Sequence, residues 1–237
     1  MNDWIEADAY LFDIDGTLLN AYGGAHYNAF HSALKHSFNL TCKIDGIPLH
    51  GNTDIGILRA VLRREGLTDA HFDAQRNAVI DHMCAQVELN RAQIRAEVCP
   101  SIHDLIALLV AQGKLLGVAS GNLERIGWLK LEAAGLRSNF TFGVFSDHCE
   151  TREDIFRTGV SEVQKRLGPT ATTCIVGDTP SDISAAKAVG MPVIAVATGI
   201  YSKEELLQHA PDICVDSCVE LLHRLPSVTP PEGTMRK

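Results

Sequence analysis

Two aspartates separated by a single residue, Asp13 and Asp15, close the apolar run AYLFDID and are followed by Gly16 and Thr17. Side chains alternate along an extended segment, so both carboxylates fall on one side. Carboxylates that close repel, and one has its pKa raised unless a cation lies beside them. Such an all-oxygen donor set suits Mg²⁺, a hard ion. Gly16 allows a sharp turn out of the strand. A second acidic pair, Asp178 and Asp182, lies in GDTPSDI. Four carboxylates converging on one edge would repel severely without a divalent cation. Between the two pairs comes Ser120-Gly121-Asn122. There a hydroxyl and backbone N–H groups at a helix N-terminus would form an anion site, although Ser and Asn are also ordinary helix caps. Anion chemistry further calls for a fixed cation. Of Arg152, Arg157, Lys165 and Arg166, Arg152 lies nearest a strand end, in SDHCETREDIF. The competing reading of Arg152 is a surface arginine paired with Glu150 or Asp154.

These positions make sense if each follows a strand of an open parallel sheet, where ligands bind beyond the carboxyl ends. Buried strands are expected at residues 9–15, 114–119, 140–145, 173–176, 192–196 and 213–215. Helices alternate with them at 123–134, 152–167, 181–189, 203–208 and 219–224, and Ser101 is expected to cap one ending near Gly113. Strands alternating with helices imply a parallel α/β sheet covered on both faces. Residues 20–98 read differently: helices at 25–38, at 53–65 and, as one or two, within 70–95, with no strand. The organisation is therefore a Rossmann-like core (residues 1–19 and 99–226) with an all-helical insertion (20–98). The tail, 227–237, with its prolines, is expected to be disordered.

Bulk properties narrow the class. The chain has 237 residues, 46% hydrophobic and 21% charged, with net charge −8, ordinary for a globular protein and unlike a nucleic-acid binder. The seven cysteines form no CxxC pair and read as free thiols of a reducing cytoplasm. The acidic N-terminus lacks a signal-peptide pattern, and no apolar run approaches the ~20 residues of a membrane span. A cytoplasmic protein with no membrane or nucleic-acid partner is expected, as a monomer or homodimer.

Together, DIDGTLL, Ser120 and GDTPSDI resemble the first, second and fourth motifs of the haloacid dehalogenase superfamily of phosphotransferases. The insertion resembles that family's mobile cap, and the whole resembles its phosphoglycolate-phosphatase-like subgroup. The third motif is usually a lysine; here Arg152 stands in its place. The resemblance implies that Asp13 attacks phosphorus and becomes phosphorylated. It implies that Asp15 protonates the leaving oxygen and then activates water. Mg²⁺ would be held by Asp13, the main-chain carbonyl of Asp15 and Asp178, with Asp182 as a ligand or a support behind them. Phosphate oxygens would meet Gly16, Thr17, Ser120, Gly121 and Asn122, and Arg152 would offset charge. An acid at position 15 suits an alkoxide leaving group that needs a proton; a departing halide needs none.

Within the insertion, HGNTDIGILR (residues 50–59) resembles a substrate-facing stretch of the cap. Gly51, Thr53 and Asp54 are substrate candidates, and Arg59 would meet a substrate carboxylate; Asn52-Thr53-Asp54 reads equally as a helix cap. His26 and His50 would line the site or serve as ordinary surface or core residues. The expected function is Mg²⁺-dependent hydrolysis of a small-molecule phosphomonoester, phosphoglycolate or a sugar phosphate. The alternatives are a sugar-phosphate mutase with the same aspartates and a catalytically silent binding protein on this fold.

Overall fold

The computed structural model describes residues 6–224. Its elements run β1 (Ala9–Phe12), β2 (Leu19–Tyr22), α1 (Ala25–Phe38), α2 (Asp54–Arg64), α3 (Asp69–Leu89) and β3 (Arg95–Val98). They continue as α4 (Ile102–Ala111), β4 (Leu115–Ala119), α5 (Glu124–Ala133), β5 (Phe142–Val144), α6 (Arg152–Leu167) and β6 (Thr173–Gly177). The last are α7 (Pro180–Ala188), β7 (Val193–Val196), α8 (Lys203–Leu207), β8 (Ile213–Val215) and α9 (Cys218–Leu222). Six strands form one sheet in the order β5-β4-β1-β6-β7-β8, with every pair parallel.

Every residue of β1 is buried, as a strand covered on both faces requires. Its alternating side chains divide the core. Tyr10 and Phe12 join the α4, α5 and α9 residues Ile102, Leu105, Leu131 and Leu221 on one face. Ala9 and Leu11 meet Ile155, Phe156, Ile183 and Leu206 of α6, α7 and α8 on the other. Because β1 is central, Asp13 emerges at the middle of the sheet's carboxyl edge, between β4 and β6.

The inserted segment folds around its own apolar cluster, including Phe30, Leu34, Leu58, Phe72 and Met83. Leu123 and Ile126, from the start of α5, belong to that cluster, so the cap's interior continues onto the core. The all-helical expectation needs correction. β2 and β3 form an antiparallel ribbon, from Leu19↔Val98 to Tyr22↔Arg95, and carry the chain out to the cap and back. LNAY and RAEV show little alternation, and their pairing is set by a partner far away in sequence, which local pattern cannot reveal. α3 is one helix rather than two, followed by a 3₁₀ turn at Arg91–Gln93. Ser101 precedes α4 but does not cap it with its side chain; it adopts a left-handed conformation, φ 60°. All seven cysteines are free. The expected disorder of residues 227–237 lies outside the described residues.

Candidate active site

The buried carboxylates Asp13, Asp178 and Asp182 sit where two strands, β1 and β6, give way to their following turns. The Asp13 N–H is fixed by the Val176 carbonyl at 3.0 Å, which continues the β1–β6 ladder to the last useful residue. The chain then turns at Gly16, with φ +84°, where a Cβ would collide with the Asp178 carboxylate. Glycine is required there for conformation and for room. Thr17 was expected at the phosphate, but its hydroxyl donates to Asp178 Oδ1 at 3.0 Å. It therefore orients a carboxylate.

Asp182, in the first turn of α7, is fully buried. Its Oδ2 accepts from the Thr179 N–H at 3.0 Å and the Thr179 hydroxyl at 2.7 Å. Its Oδ1 accepts from Arg152 Nε at 2.6 Å. Both oxygens are thus engaged by protein, which assigns Asp182 to holding Arg152 and the turn. Arg152 opens α6 and is itself buried. Its Nη2 lies 2.5 Å from Asp13 Oδ2, an ion pair without the alignment of a hydrogen bond. The pairing with Glu150 or Asp154 considered above does not form; Glu150 pairs with Arg59 and Arg76. One oxygen each from Asp13, Asp178 and Asp182 falls within 4.8 Å of the others.

The Asp15 side chain is not in that cluster. It turns to a second polar group: Lys130 Nζ donates to Asp15 Oδ2 at 2.6 Å and to Asn122 Oδ1 at 2.7 Å. Asn122 Nδ2 donates to the same Asp15 oxygen and to Ser120 Oγ, both at 2.8 Å. Asn122 is thus a strut between Asp15, Ser120 and Lys130. Sequence reasoning missed Lys130. Its signal was helical spacing: Ile126, Gly127, Lys130 and Leu131 share the buried face of α5.

The two groups have opposite electrostatics. Burial dominates at Asp13 and, with the charges of Asp182 and Asp15, pushes its carboxyl up to about 6 despite Arg152. Asp178 moves well up for the same reason, burial first, then the charges of Asp13 and Asp182. For Asp15, burial would raise the pKa, but the charge and hydrogen bond of Lys130, with Asn122, outweigh it and hold the carboxyl below its ordinary range.

The cap rests on this edge. The Asp54 N–H donates to the Gly121 carbonyl at 2.8 Å, and Asp54 Oδ2 accepts from the Leu123 N–H at 2.8 Å and lies 3.0 Å from His26 Nε2. The Thr53 hydroxyl donates to the Glu150 carbonyl at 2.7 Å and accepts from the Gly56 N–H. Thr53 therefore caps α2 and fastens it to the core. A Cβ at Gly51 would stand 2.7 Å from Ser181 Cβ and 2.8 Å from Thr179 Oγ1. Arg59 is committed to Glu150, at 2.7 and 2.8 Å, and to Asp73 at 2.6 Å.

Between cap and core lies a cavity of about 320 Å³, at the small end for small-molecule sites. Asp13, Asp15, Gly16, Ser120, Gly121, Asn122, Arg152 and Asp178 line its floor, and Asp54, His26, His50 and Gly51 reach it from the cap. Thr17, Thr53, Arg59 and Asp182 are absent from its wall. Among the described residues, no helix is long and apolar enough to cross a membrane.

Residues 10–196 match the family model described as haloacid dehalogenase-like hydrolase. The chain is 29% identical over 223 residues to a probable phosphatase, IndB, of Dickeya dadantii, covering 90% of both chains. It is 26% identical to a phosphoglycolate phosphatase of Synechococcus elongatus, covering 90% of this chain and 95% of that one. Among solved structures, CbbY from Rhodobacter sphaeroides in complex with phosphate superposes with a TM-score of 0.68 at 23% identity, over 91% of this chain and 96% of that one. The match spans both acidic pairs, the Ser120 turn and the strands that carry them, and on it this chain belongs to the haloacid dehalogenase-like hydrolases.

Proposed function

We propose that this chain is a Mg²⁺-dependent phosphomonoesterase that hydrolyses a small-molecule ester through a phospho-Asp13 intermediate. The observation that carries this is a division of labour between two carboxylates. Asp13 is buried against Arg152, whereas Asp15 is held across the cavity floor by Lys130 and Asn122. The two-step reaction needs a nucleophile and a separate acid/base, each held in place by its own partners.

In the first half-reaction an Asp13 oxygen bonds to phosphorus and the ester P–O bond breaks. Asp15, whose carboxyl Lys130 holds below its ordinary range before substrate binds, takes the proton of an incoming phosphomonoester monoanion and gives it to the departing alkoxide. In the second half Asp15 takes a proton from water, the water oxygen bonds to phosphorus, and the Asp13–phosphorus bond breaks to release phosphate. Ser120 and the backbone at Gly16 and Gly121 would receive the phosphoryl oxygens, and Arg152 would offset their charge; positioning and electrostatics dominate catalysis of this kind. The cap excludes water from the cavity.

The donor set fits Mg²⁺. Asp13 and Asp178 are buried oxygen donors with pKa values pushed up by burial, and Arg152 alone does not balance three carboxylates. Asp13, Asp178 and the Asp15 carbonyl would hold the ion, with Asp182 behind them. Bound there, it would neutralise charge on the nucleophile and the phosphoryl group. The test is phosphate release from a panel of phosphomonoesters, with Mg²⁺ and with EDTA, for wild type and Asp13→Asn. Magnesium-dependent release should fall by at least about 10³-fold in the variant while far-UV circular dichroism is unchanged. Full activity in Asp13→Asn eliminates the covalent mechanism, and phosphoryl return to a sugar in place of release to water assigns a mutase.

A further inference from the structure

We infer that the substrate is a monophosphate whose leaving group is uncharged and largely apolar, rather than one bearing a second anionic group. The inference rests on the phosphomonoesterase reading for where the phosphate sits, and takes its evidence from the rest of the cavity.

Among the described residues, Lys130 and Arg152 are the only Lys or Arg side chains on the cavity wall. Both belong to the floor, and both are already paired: Lys130 with Asp15 and Arg152 with Asp13 and Asp182. Arg59, the cap arginine best placed by sequence to receive a carboxylate, is engaged by Glu150 and Asp73 outside the cavity. The one carboxylate that the cap contributes to the wall is Asp54, which repels a second anion. His26 directs Nε2 to that same Asp54 oxygen, so the pair brings no surplus positive charge. His50 is exposed. A substrate carboxylate or second phosphate would therefore lose its hydration without gaining a cation, which is strongly unfavourable.

The cap side of the wall is apolar instead: Leu49 and Ile94 are partly exposed to it, and behind them Phe30, Ile44, Ile57 and Val87 close it with the buried cap cluster. Three of its polar side chains are engaged by groups outside the cavity wall. Asn52 donates to the Pro48 carbonyl and accepts from the Thr53 N–H. Asn20 donates to the Thr198 carbonyl, and the Tyr27 hydroxyl donates to Asp45. A sugar rich in hydroxyl groups would find few free partners, whereas an aryl or alkyl group buries apolar area on both sides. This separates the chain from its phosphoglycolate phosphatase relatives, whose named substrate carries a carboxylate.

The test compares benzyl phosphate, 2-phosphoglycolate and fructose 1,6-bisphosphate with Mg²⁺ at pH 8, above the ordinary histidine range. For the wild type, kcat/KM for benzyl phosphate should exceed that for either ester with an anionic tail by about tenfold or more. Equal or higher kcat/KM for 2-phosphoglycolate or the bisphosphate overturns the inference. Calorimetric titration of Asp13→Asn with the same three compounds ranks binding without turnover. It separates this inference from the catalytic reading, because benzyl phosphate binding tightest supports the cavity argument even where wild type releases no phosphate. Equal, reversed or absent preference in that titration overturns it.

Discussion

Asp13 is set against its own surroundings. Its carboxyl is pushed up to about 6 by burial, with Arg152 only partly offsetting Asp182 and Asp15. An ordinary carboxyl in the unfolded chain titrates near 4. Between those values the folded protein binds more protons than the unfolded one, so stability falls as pH rises from about 4 to about 6 and stays reduced above. Asp13→Asn removes the ionisation. In EDTA, urea unfolding at pH 8 should find the variant more stable than wild type by roughly 1–3 kcal/mol, and the gap should close near pH 4. A gap of the same size at both pH values would show that the carboxylate is not strained in the folded state. The residues that carry this argument were legible because Asp13, Asp178 and Arg152 follow strands or open the next helix. Lys130 was not, because it lies mid-helix. Only helical periodicity marks it, on the buried face of α5 beside Ile126 and Leu131.

At the scale of elements, the position of the cap is set by a few close approaches. Gly121 has no left-handed φ, so its backbone accepts alanine. Yet a Cβ there would collide with the Asn52 carbonyl oxygen and stand 3.1 Å from Thr53 Cα. Gly121→Ala should therefore leave the sheet and helices intact and hold the cap away from the floor. The expected outcome is a loss of about 10–100-fold in kcat/KM, with thermal unfolding of the core little changed and faster hydrogen exchange at Asp54 and Leu123. Wild-type kinetics in this variant would mean that the contact between the cap and the Gly121 turn is irrelevant to turnover. The cap helices were readable from sequence: α1 spans the predicted residues 25–38, and Thr53 caps α2 as one of its two readings required. The β2–β3 ribbon and the Arg59–Glu150–Arg76 cluster were not. Both join residues more than seventy positions apart, and an ion pair between cap and core leaves no periodic trace in either segment.

For the whole molecule, the cluster at the sheet edge is a local cost set against three apolar clusters that hold core and cap together. Asp13, Asp178 and Asp182 converge with a single arginine among them, and the chain as a whole carries −8. A divalent cation that binds only the folded state removes that cost in proportion to RT ln(1 + [L]/Kd), about 2.7 kcal/mol at a hundredfold excess over Kd. For a chain of this size each kcal/mol moves Tm by about 2–4 °C. Saturating Mg²⁺ should then raise Tm by about 5–11 °C over protein in EDTA. Asp178→Asn should behave oppositely on two counts. Its metal-free Tm should exceed that of wild type at pH 8, because burial holds Asp178 well above the ordinary carboxylate range. Its response to Mg²⁺ should largely vanish. Differential scanning calorimetry of both proteins with and without the metal checks the pair of outcomes together. An equal Mg²⁺ shift in wild type and Asp178→Asn would assign the stabilisation to acids on the surface, such as Asp69 or Asp73, and remove the sheet edge as the place where the ion is held.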